Sequence, residues 1–323
     1  MRAPEFWDRD DWRARLLAPL SWAYGTSVAW KEAHAVPYHS AAAVVCVGNI
    51  SVGGTGKTPI AIEIAHRLRA RGRRPVFLSR GYGGRLRGPV EVHEANSAAD
   101  VGDEPLLLRH TAPVVVARDR AEGARFAEQL GDTIVMDDGH QNFALRKDLA
   151  LVVVDGETGF GNGRVVPAGP LREPVSQGLH RADAVIVTGD GDVPLAGFEG
   201  AVLRSHLIQQ GDSVAGRRVV AFAGIGRPDK FFHALEHQGA EIAASMRYAD
   251  HHTYTQAEIA RLKSKARALD ALLVTTEKDF VRLTQAERDG ILPLPVRAAF
   301  DAPQALDALL DRLPREPIAR APA

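Results

Sequence analysis

The 323-residue chain contains a single cysteine, Cys46, which lies within an apolar run. One thiol excludes an internal disulfide framework and is typical of a protein in a reducing compartment, which favours the cytoplasm. An excess of one charge is also missing, because 40 Lys and Arg balance 40 Asp and Glu. Strongly basic surfaces are typical of proteins that bind nucleic acid, so we expect no nucleic-acid partner.

Long hydrophobic runs are missing as well, since no stretch reaches the roughly eighteen uninterrupted apolar residues of a membrane span. The N-terminus, MRAPEFWDRDDWRARLL, is too acidic for a secretory signal. Aromatic residues make up only 6% of the chain, yet its four tryptophans all fall within residues 1–30, at Trp7, Trp12, Trp22 and Trp30. The N-terminal segment therefore differs from the rest of the chain in its tryptophan content.

Apolar side chains recur at helical spacing from Trp12 to Tyr24, with Leu16 and Leu20 among them, and we expect Pro19 to kink or break this helix. Two interpretations stay open. Tryptophan prefers the headgroup boundary of a bilayer, so the helix could anchor the protein at a membrane surface. A helix that packs on the body of the protein shows the same period.

Short runs rich in β-branched residues alternate with helical segments along most of the chain. Such runs are typical of parallel strands that are covered by helices on both faces. A stretch rich in glycine and aspartate, GDGDVPLAGFEG, separates a first series of strands from a second series that includes RRVVAFAGIG, ALLVTTEKD and LPVRAAF. We therefore predict an N-terminal helical segment over residues 1–35, a larger α/β lobe over 36–195 and a smaller α/β lobe over 196–323.

The stretch SVGGTGKT, residues 51–58, follows a predicted strand and precedes the predicted helix PIAIEIAHRLRARG. In a P-loop, the N–H groups of a glycine-rich turn surround phosphates, the lysine reaches the outer phosphates and the next hydroxyl binds Mg²⁺. Gly56, Lys57 and Thr58 supply these parts, although Ser51 stands where the usual pattern has glycine. A glycine-rich turn without a ligand is the weaker alternative, so we predict a P-loop NTPase-like sheet.

Acidic residues follow another predicted strand in TIVMDDGHQN, where Asp137 and Asp138 are adjacent. Two neighbouring carboxylates repel each other unless a cation or donors lie between them, which favours a Mg²⁺ role over a simple turn. Asp103 and Glu104 in DVGDEP have instead the position of ordinary first-turn helix residues, and on spacing alone that interpretation is preferred.

Two further segments combine charged residues with loop-forming ones. His251 and His252 in YADHHTYT are either metal ligands or loop residues, and adjacent histidines on an extended segment point to opposite sides. The segment GFGNGRVVPAGPLREP holds Arg164, Arg172 and Glu173. A guanidinium in a loop rich in Gly and Pro suits an anion, and the alternative is a surface loop with a salt bridge.

Six segments in chain order, GNISVGGTGKTP, VGDEP, DDGHQN, PAGPLREP, DHHTY and TTEKD, resemble the tetraacyldisaccharide 4′-kinase family of lipid A biosynthesis. The resemblance implies ATP-dependent phosphorylation of the 4′-hydroxyl of a tetraacylated glucosamine disaccharide 1-phosphate. It implies ATP and Mg²⁺ as cofactors, two α/β lobes, and a peripheral position on the cytoplasmic face of the bacterial inner membrane, engaged by the N-terminal helix. The expected partners are the lipid substrate and the membrane surface, with no obligate protein partner.

The resemblance also implies roles for individual residues. It makes Asp103 a catalytic base paired with a histidine of the second lobe, taken as His251 with His252 as the alternative, and it places Lys57 and Arg172 on the transferring phosphate. It implies ATP binding at Ser51, Val52, Gly53, Gly54, Thr55, Gly56, Lys57 and Thr58, Mg²⁺ binding at Thr58, Asp137, Asp138 and Glu104, and substrate contacts at Arg120, Gln141, Asn162 and Glu173. His140 stands where we expect relatives to carry an aromatic residue such as phenylalanine.

Two other functions remain open at this point. A P-loop ATPase or GTPase of the partitioning or metal-insertase kind also contains Gly-Gly-x-Gly-Lys-Thr, but proteins that resemble the partitioning group carry a lysine where this chain has Val52. A membrane-binding module without catalysis would not need both the loop lysine and the acidic pair. We therefore expect a membrane-associated lipid kinase that transfers the phosphoryl group in line, without a phospho-enzyme.

Overall fold

The computed structural model describes residues 4–210 and 214–314, so residues 1–3 and 315–323, at the ends of the predicted ranges, lie outside the described part. The strands are β1 (Ala43–Gly48), β2 (Pro75–Ser79), β3 (Val90–Glu91), β4 (Val114–Val116), β5 (Thr133–Asp137), β6 (Leu149–Asp155), β7 (Ala184–Thr188), β8 (Ala201–Gln209), β9 (Arg218–Ala223), β10 (Glu241–Arg247), β11 (Leu272–Thr276), β12 (Ile291–Leu294) and β13 (Val296–Phe300). A 3₁₀ turn spans Glu5–Trp7, and the helices are α1 (Trp12–Ala33), α2 (Lys57–Ala70), α3 (Ala98–Val101), α4 (Asp103–Leu108), α5 (Arg120–Ala127), α6 (Val175–His180), α7 (Pro228–His237), α8 (Gln256–Ala268), α9 (Glu277–Phe280), α10 (Gln285–Arg288) and α11 (Pro303–Leu310).

The larger sheet has the strand order β13-β8-β7-β6-β1-β5-β2-β4-β3. Its strands pair in parallel except at the two edges, where β13 is antiparallel to β8 and β3 is antiparallel to β4. Along β5 the side chains alternate: Val135 packs in the core with α2, whereas Ile134 and Met136 pack in the core with α5. The predicted parallel sheet with helices on both faces is confirmed.

The smaller sheet has the strand order β10-β9-β11-β12, and its strands are all parallel. Phe231 and Leu235 of α7 pack against one face, and Ile259 and Leu262 of α8 pack against the other. The amphipathic stripes of these two helices therefore account for the second hydrophobic core, as the alternation of strands and helices in the sequence predicts.

The sheets divide the chain differently from the predicted ranges. Strands β8 and β13, which both fall within residues 196–323, belong to the larger sheet. The pattern of LPVRAAF places it in the second series of strands, but β13 lies at the edge of the larger sheet, because Ala298 and Phe300 pack into the α2 core. The chain thus leaves the larger sheet after β8, forms the smaller sheet and returns at β13. The two chain connections between the sheets lie side by side where they meet the larger sheet, because the Gln210 N–H donates to the Pro295 carbonyl at 2.7 Å.

Helix α1 runs without interruption from Trp12 to Ala33, so, of the kink or break predicted at Pro19, the break does not occur. Proline removes the amide that would donate to the carbonyl four residues earlier, here that of Arg15. Both Pro19 and Arg15 are exposed. Water can therefore hydrate the carbonyl that loses its helical donor, and the helix tolerates the proline.

Helix α1 buries small side chains and exposes large ones. Ala14, Ser21 and Val28 face the body, and the Ser21 hydroxyl accepts a hydrogen bond from the Ala168 N–H at 3.0 Å. The uncovered face, which we call the α1 apolar face, consists of Trp12, Leu16, Leu20, Trp22 and Trp30, each 60% to 75% exposed. Among the helices of residues 4–210 and 214–314, none has the length and hydropathy that crossing a bilayer requires.

Asp155, at the end of β6, joins the two sheets. Its Oδ2 accepts hydrogen bonds from Arg227 Nη1 at 3.1 Å and from Lys230 Nζ at 2.9 Å, at the start of α7. Burial acts to raise the pKa of Asp155, but the Lys230 hydrogen bond and the Arg227 charge lower it below its usual value. The ionised carboxylate therefore stabilises the contact between the smaller and the larger sheet.

We expect Asp155→Asn to lower the free energy of unfolding at pH 7 by about 1–3 kcal/mol, because two cations lose a charged acceptor. The pKa of Asp155 is lowered in the folded state. The stabilisation by its carboxylate is therefore present above the ordinary aspartate pKa of about 3.9 and is lost as the pH falls through the lowered value. Urea unfolding from pH 7 into acid measures the difference between the variant and the wild type.

The two free energies of unfolding should converge in acid, and a difference that does not depend on pH would contradict the prediction. Asp192→Asn is the control, because the Asp192 side chain is fully exposed and lies 3.4 Å from Arg204. That substitution should leave the free energy of unfolding almost unchanged at every pH.

Candidate active site

The loop of residues 49–56 joins β1 to α2 at the carboxyl edge of the larger sheet. Gly56 precedes α2 with a φ of 84°, and Gly53 has a φ of 122°, conformations that glycine adopts without strain. A Cβ atom placed on Gly53 or Gly54 would meet open space. The first N–H groups of α2 and this open glycine turn form a site that favours a phosphate.

Ser51 opens the loop without strain. It forms an isolated bridge to Leu171, the Val52 N–H donates to the Pro170 carbonyl at 2.7 Å, and the Arg172 N–H donates to the Ile50 carbonyl at 2.7 Å. Ser51 is not among the described residues with positive φ. Its backbone conformation is therefore open to any residue, and the departure from glycine leaves the phosphate site intact.

The acidic pair lies beside the loop, but its two members differ. Thr58 Oγ1 donates to Asp137 Oδ2 at 3.1 Å. Asp138 Oδ1 accepts from Arg172 Nη1 at 2.7 Å and lies 3.7 Å from Lys57 Nζ, while Arg172 Nη2 donates to Asp138 Oδ2 at 3.0 Å. Lys57 and Arg172 thus both contact Asp138, whereas the Thr58 hydroxyl contacts Asp137.

The electrostatics of the two carboxyl groups differ accordingly. Burial, together with the charge of Glu104, raises the pKa of Asp137 to about 7. Burial also acts to raise the pKa of Asp138, but the charges of Lys57 and Arg172 hold it at about 2. At neutral pH Asp138 is therefore a carboxylate, whereas the fully buried Asp137 lacks the cation that would keep it ionised.

The chemistry of these oxygen atoms suits Mg²⁺. Asp137 Oδ1 is buried and has no hydrogen-bond partner, so it can take a ligand. Mg²⁺ prefers oxygen ligands and is usually held by one or two carboxylates together with substrate phosphates. Within residues 4–210 and 214–314 no group of three or more His, Cys, Asp or Glu side chains could hold a metal on its own. The donor set of Thr58, Asp137 and Asp138 therefore fits a metal that is shared with a nucleotide.

Glu104 does not join this donor set in the structure. Its Oε1 accepts a hydrogen bond from Lys278 Nζ at 3.0 Å, across the contact between the two sheets. Burial acts to lower the pKa of Lys278, but the charges of Glu104 and Asp103 raise it. Glu104 therefore contributes an ion pair between the sheets, and its predicted contact with Mg²⁺ stays a prediction.

The structure brings Asp103 and His251 together and leaves His252 apart. His251 Nδ1 lies 3.0 Å from Asp103 Oδ2, and its ring lies 5.4 Å from the ring of Tyr82. His252 Nε2 lies 3.2 Å from both carboxylate oxygens of Glu258, within the smaller sheet's own loop and helix. The histidine that faces Asp103 across the two sheets is thus His251.

Arg282 is a member of this cluster that the sequence did not reveal. Its Nε donates to Asp103 Oδ2 at 2.9 Å, and its Nη1 donates to Asp279 Oδ1 at 2.8 Å. Burial acts to raise the pKa of Asp103, but the hydrogen bond from His251 and the charges of Lys278 and Arg282 hold it below its usual range. The only signal in the sequence was the position of Arg282 three residues after the TTEKD segment, which is too common to point to a site.

The predicted substrate residues lie at different depths. Gln141 Nε2 donates to the Asn49 carbonyl and to Glu173 Oε1, both at 2.8 Å, and Gln141 Oε1 accepts from Arg172 Nη1 at 3.3 Å. Glu173 is completely buried and also accepts from Arg181. In this structure Glu173 therefore orients Gln141 and reaches no surface, whereas Gln141 and Arg172 lie next to the acidic pair.

Arg120 and Asn162 are also engaged by the protein. Arg120 is 3% exposed and donates to the Ala117 carbonyl, while its buried Nε has no partner. Burial and the charge of Arg80 lower its pKa to about 10. Asn162 Nδ2 donates to the Phe6 carbonyl at 3.0 Å and to the Ala168 carbonyl at 2.9 Å. The Asn162 side chain thus joins the N-terminal segment to the segment GFGNGRVVPAGPLREP.

His140 fills the position where an aromatic residue was expected. It is completely buried, and a Cβ atom on Gly48 would come within 2.5 Å of its Cβ, which explains the glycine at the end of β1. Burial lowers the pKa of His140 to about 4, so the ring is neutral at pH 7. His140 Nε2 lies 2.8 Å from the Gly178 carbonyl and donates to it. The imidazole therefore packs as a neutral ring.

Comparisons with known proteins find relatives over nearly the whole chain. The family model described as tetraacyldisaccharide-1-P 4′-kinase matches residues 13–314. Among curated relatives, the tetraacyldisaccharide 4′-kinase of Paramagnetospirillum magneticum is 50% identical and spans 97% of this chain and 99% of the relative. The protein of the same name from Rhodospirillum centenum is 48% identical and spans 96% of each chain.

A solved structure supports the same relationship. The crystal structure of the "apo" form of LpxK from Aquifex aeolicus, in complex with ATP, is similar to this chain with a TM-score of 0.75 and 26% identity, over 93% of this chain and 98% of that chain. The resemblance carried by the six ordered segments is confirmed, and the chain belongs to the tetraacyldisaccharide 4′-kinase family.

Proposed function

We propose that this protein transfers the γ-phosphoryl group of ATP to the 4′-hydroxyl of a tetraacylated glucosamine disaccharide 1-phosphate. The observation that carries the proposal is that a P-loop, the acidic pair of buried Asp137 and partly exposed Asp138, and the contact of His251 with Asp103 lie at one edge of the larger sheet. Family membership supports the choice of substrate. A P-loop ATPase of the partitioning or metal-insertase type would account for the loop, but not for the histidine that the second lobe contributes.

We assign the general base to His251 and its orientation to Asp103. The contact with Asp103 occupies Nδ1, whereas Nε2 lies 3.8 Å from Asp250 Oδ1, beyond hydrogen-bond distance, and we assign it to accept the proton. Asp103 is a weak base near neutral pH, because its pKa is held below the usual range. In the proposed step the substrate hydroxyl gives its proton to Nε2, its oxygen forms a bond to the γ-phosphorus, and the bond to the leaving ADP breaks.

Lys57 and Arg172 are the cations that we assign to the phosphates. Both contact Asp138 in this structure, at 3.7 and 2.7 Å from Oδ1. Ammonium and guanidinium groups bind phosphate oxygens as they bind carboxylate oxygens, so Asp138 holds both cations where the transferring group needs them. Thr58, Asp137 and Asp138 would hold Mg²⁺, which supplies positive charge next to the phosphate oxygens when it is bound.

The remaining predicted contacts divide into direct and indirect ones. Gln141 is partly exposed beside Arg172, so we keep it as a direct contact to the substrate. Glu173 and Asn162 act by positioning their neighbours in this proposal, because Glu173 is buried and the Asn162 amide bonds backbone carbonyls. Arg120 stays a candidate for phosphate binding through its unpartnered Nε.

We further propose that the N-terminal segment attaches the protein peripherally to the cytoplasmic face of the inner membrane. The α1 apolar face is the contact surface, and the helical period places the exposed Arg13 and Lys31 at its flank and the exposed Arg15 beside Trp22. Aromatic and leucine side chains with flanking cations are typical of helices that lie in the plane of an anionic membrane surface.

Transfer of label from γ-labelled ATP to purified tetraacyldisaccharide 1-phosphate, in detergent with Mg²⁺, tests the activity. We expect Lys57→Ala to reduce labelled lipid by at least about 100-fold, because the cation that stabilises the transferring phosphate is lost. Lys265→Ala, at an exposed position of α8, is the control and should label lipid like the wild type. ATP hydrolysis without labelled lipid from the wild type would contradict the kinase function and favour an ATPase.

The two adjacent histidines provide a matched pair of variants. His251→Ala should lower kcat by about 10²- to 10⁴-fold, the usual contribution of a general base, with the Kd for ATP unchanged. His252→Ala should keep most of the activity, because His252 contacts Glu258 and not Asp103. Steady-state kinetics with calorimetric ATP titration measures both, and equal losses in the two variants would contradict the assignment of the base.

Flotation with vesicles of phosphatidylethanolamine and phosphatidylglycerol tests the membrane contact. We expect a variant with Leu16→Ser and Leu20→Ser to bind at least about tenfold more weakly, because each leucine loses about 1.5–3 kcal/mol of apolar burial. Val36→Ser is the control, since Val36 is 92% exposed but lies beyond the end of α1. Undiminished binding by the leucine variant would place the membrane contact elsewhere.

A further inference from the structure

Arg282 lies at the centre of the contact between the two sheets. Its side chain is 5% exposed, and that of Asp103 is 4% exposed. Arg282 Nε donates to Asp103 Oδ2 at 2.9 Å, and Nη2 donates to the same oxygen. This oxygen also lies 3.0 Å from His251 Nδ1. Arg282 and His251 therefore share one oxygen of a buried carboxylate, while the His251 side chain itself is 31% exposed.

The other end of the guanidinium supports the backbone next to the histidine. Arg282 Nη1 donates to the Gly224 carbonyl at 2.7 Å, and the His251 N–H donates to the same carbonyl at 3.1 Å. His251 has a φ of 58°, a conformation that a residue with a side chain keeps only when its surroundings hold it. A single side chain thus contacts both the carboxylate partner and the backbone support of His251.

We propose that Arg282 is a positioning residue for phosphoryl transfer, which sets the His251 imidazole against Asp103 and so directs Nε2 toward the acceptor hydroxyl. This inference rests on the proposed role of His251 as the base. Arg282 acts through Asp103 and Gly224 and touches no reacting atom. The planar guanidinium offers donors in fixed directions to several acceptors at once, which the single ammonium of lysine does not.

A purely structural role is the alternative. Arg282 lies between two buried carboxylates, since Asp279 is completely buried and accepts from Arg282 Nη1 at 2.8 Å. In that case loss of Arg282 would weaken the fold or the contact between the sheets. Substitution of Arg282 would then lower kcat by the same factor whether or not His251 is present. The two roles therefore differ in whether the effect of Arg282 depends on His251.

A double-mutant cycle separates the two roles. We expect Arg282→Gln to lower kcat by about 10- to 100-fold, part of the usual contribution of a general base, while the KM for ATP changes less than about twofold. In a His251→Ala background the same substitution should lower kcat by less than about twofold, because the base that Arg282 positions is gone. If the fold-losses in kcat of the two single variants multiply in the double variant, the positioning role is overturned.

Further variants keep each outcome decisive. Arg288→Gln is the matched control and should keep the wild-type kcat, because Arg288 donates to the Phe280 and Val281 carbonyls, each at 3.3 Å, and not to Asp103 or Gly224. If circular dichroism shows that Arg282→Gln does not fold, Arg282→Lys takes its place in the cycle. A wild-type kcat for Arg282→Lys would overturn the inference, because charge alone would then suffice.

The cycle also distinguishes failure of this inference from failure of the proposed base. A wild-type kcat for His251→Ala alone would overturn the base assignment and this inference with it. A slow His251→Ala enzyme with multiplying losses in the double variant would overturn only the role of Arg282. Both comparisons use the full chain, the same labelled-lipid measurement and the same detergent.

Discussion

Asp103 is a carboxylate that the fold removes from water at the contact between two sheets. A buried charge is costly unless opposite charge and donors surround it. Two of its partners, His251 and Arg282, come from loops of the smaller sheet. Neutralisation of Asp103 therefore stabilises the position of the smaller sheet against the larger one. Asp155 makes a second contact of the same kind, with Arg227 and Lys230.

The chemistry concentrates at one edge because parallel strands all end there. In the proposed function the loop after β1 holds the phosphates, and the end of β5 carries the acidic pair. Of the two carboxyl groups at this edge, Asp138 is paired with cations, and Asp137, whose pKa burial raises to about 7, is assigned to Mg²⁺ in the proposed function. A second lobe supplies the imidazole, so the site is complete only when both lobes contribute.

Local patterns revealed most of the strands, the glycine-rich loop and the acidic pair, because glycine spacing and apolar runs depend only on neighbouring residues. They did not reveal Arg282, whose contact with Asp103 spans 179 residues. β8 was missed because its burial is mixed along the strand, as is usual near a sheet edge. Asp103 looked like an ordinary helix residue until a family resemblance singled it out, and the structure then paired it with His251 and not His252.

The path of the chain through β8 and β13 has a mechanical consequence. The smaller sheet is an insertion within the larger one, attached by two connections instead of one. Because Gln210 and Pro295 are hydrogen-bonded to each other, the two connections cannot move apart independently. A rotation of the smaller sheet about this point would carry the His251 imidazole along an arc, toward or away from the acceptor side of the site.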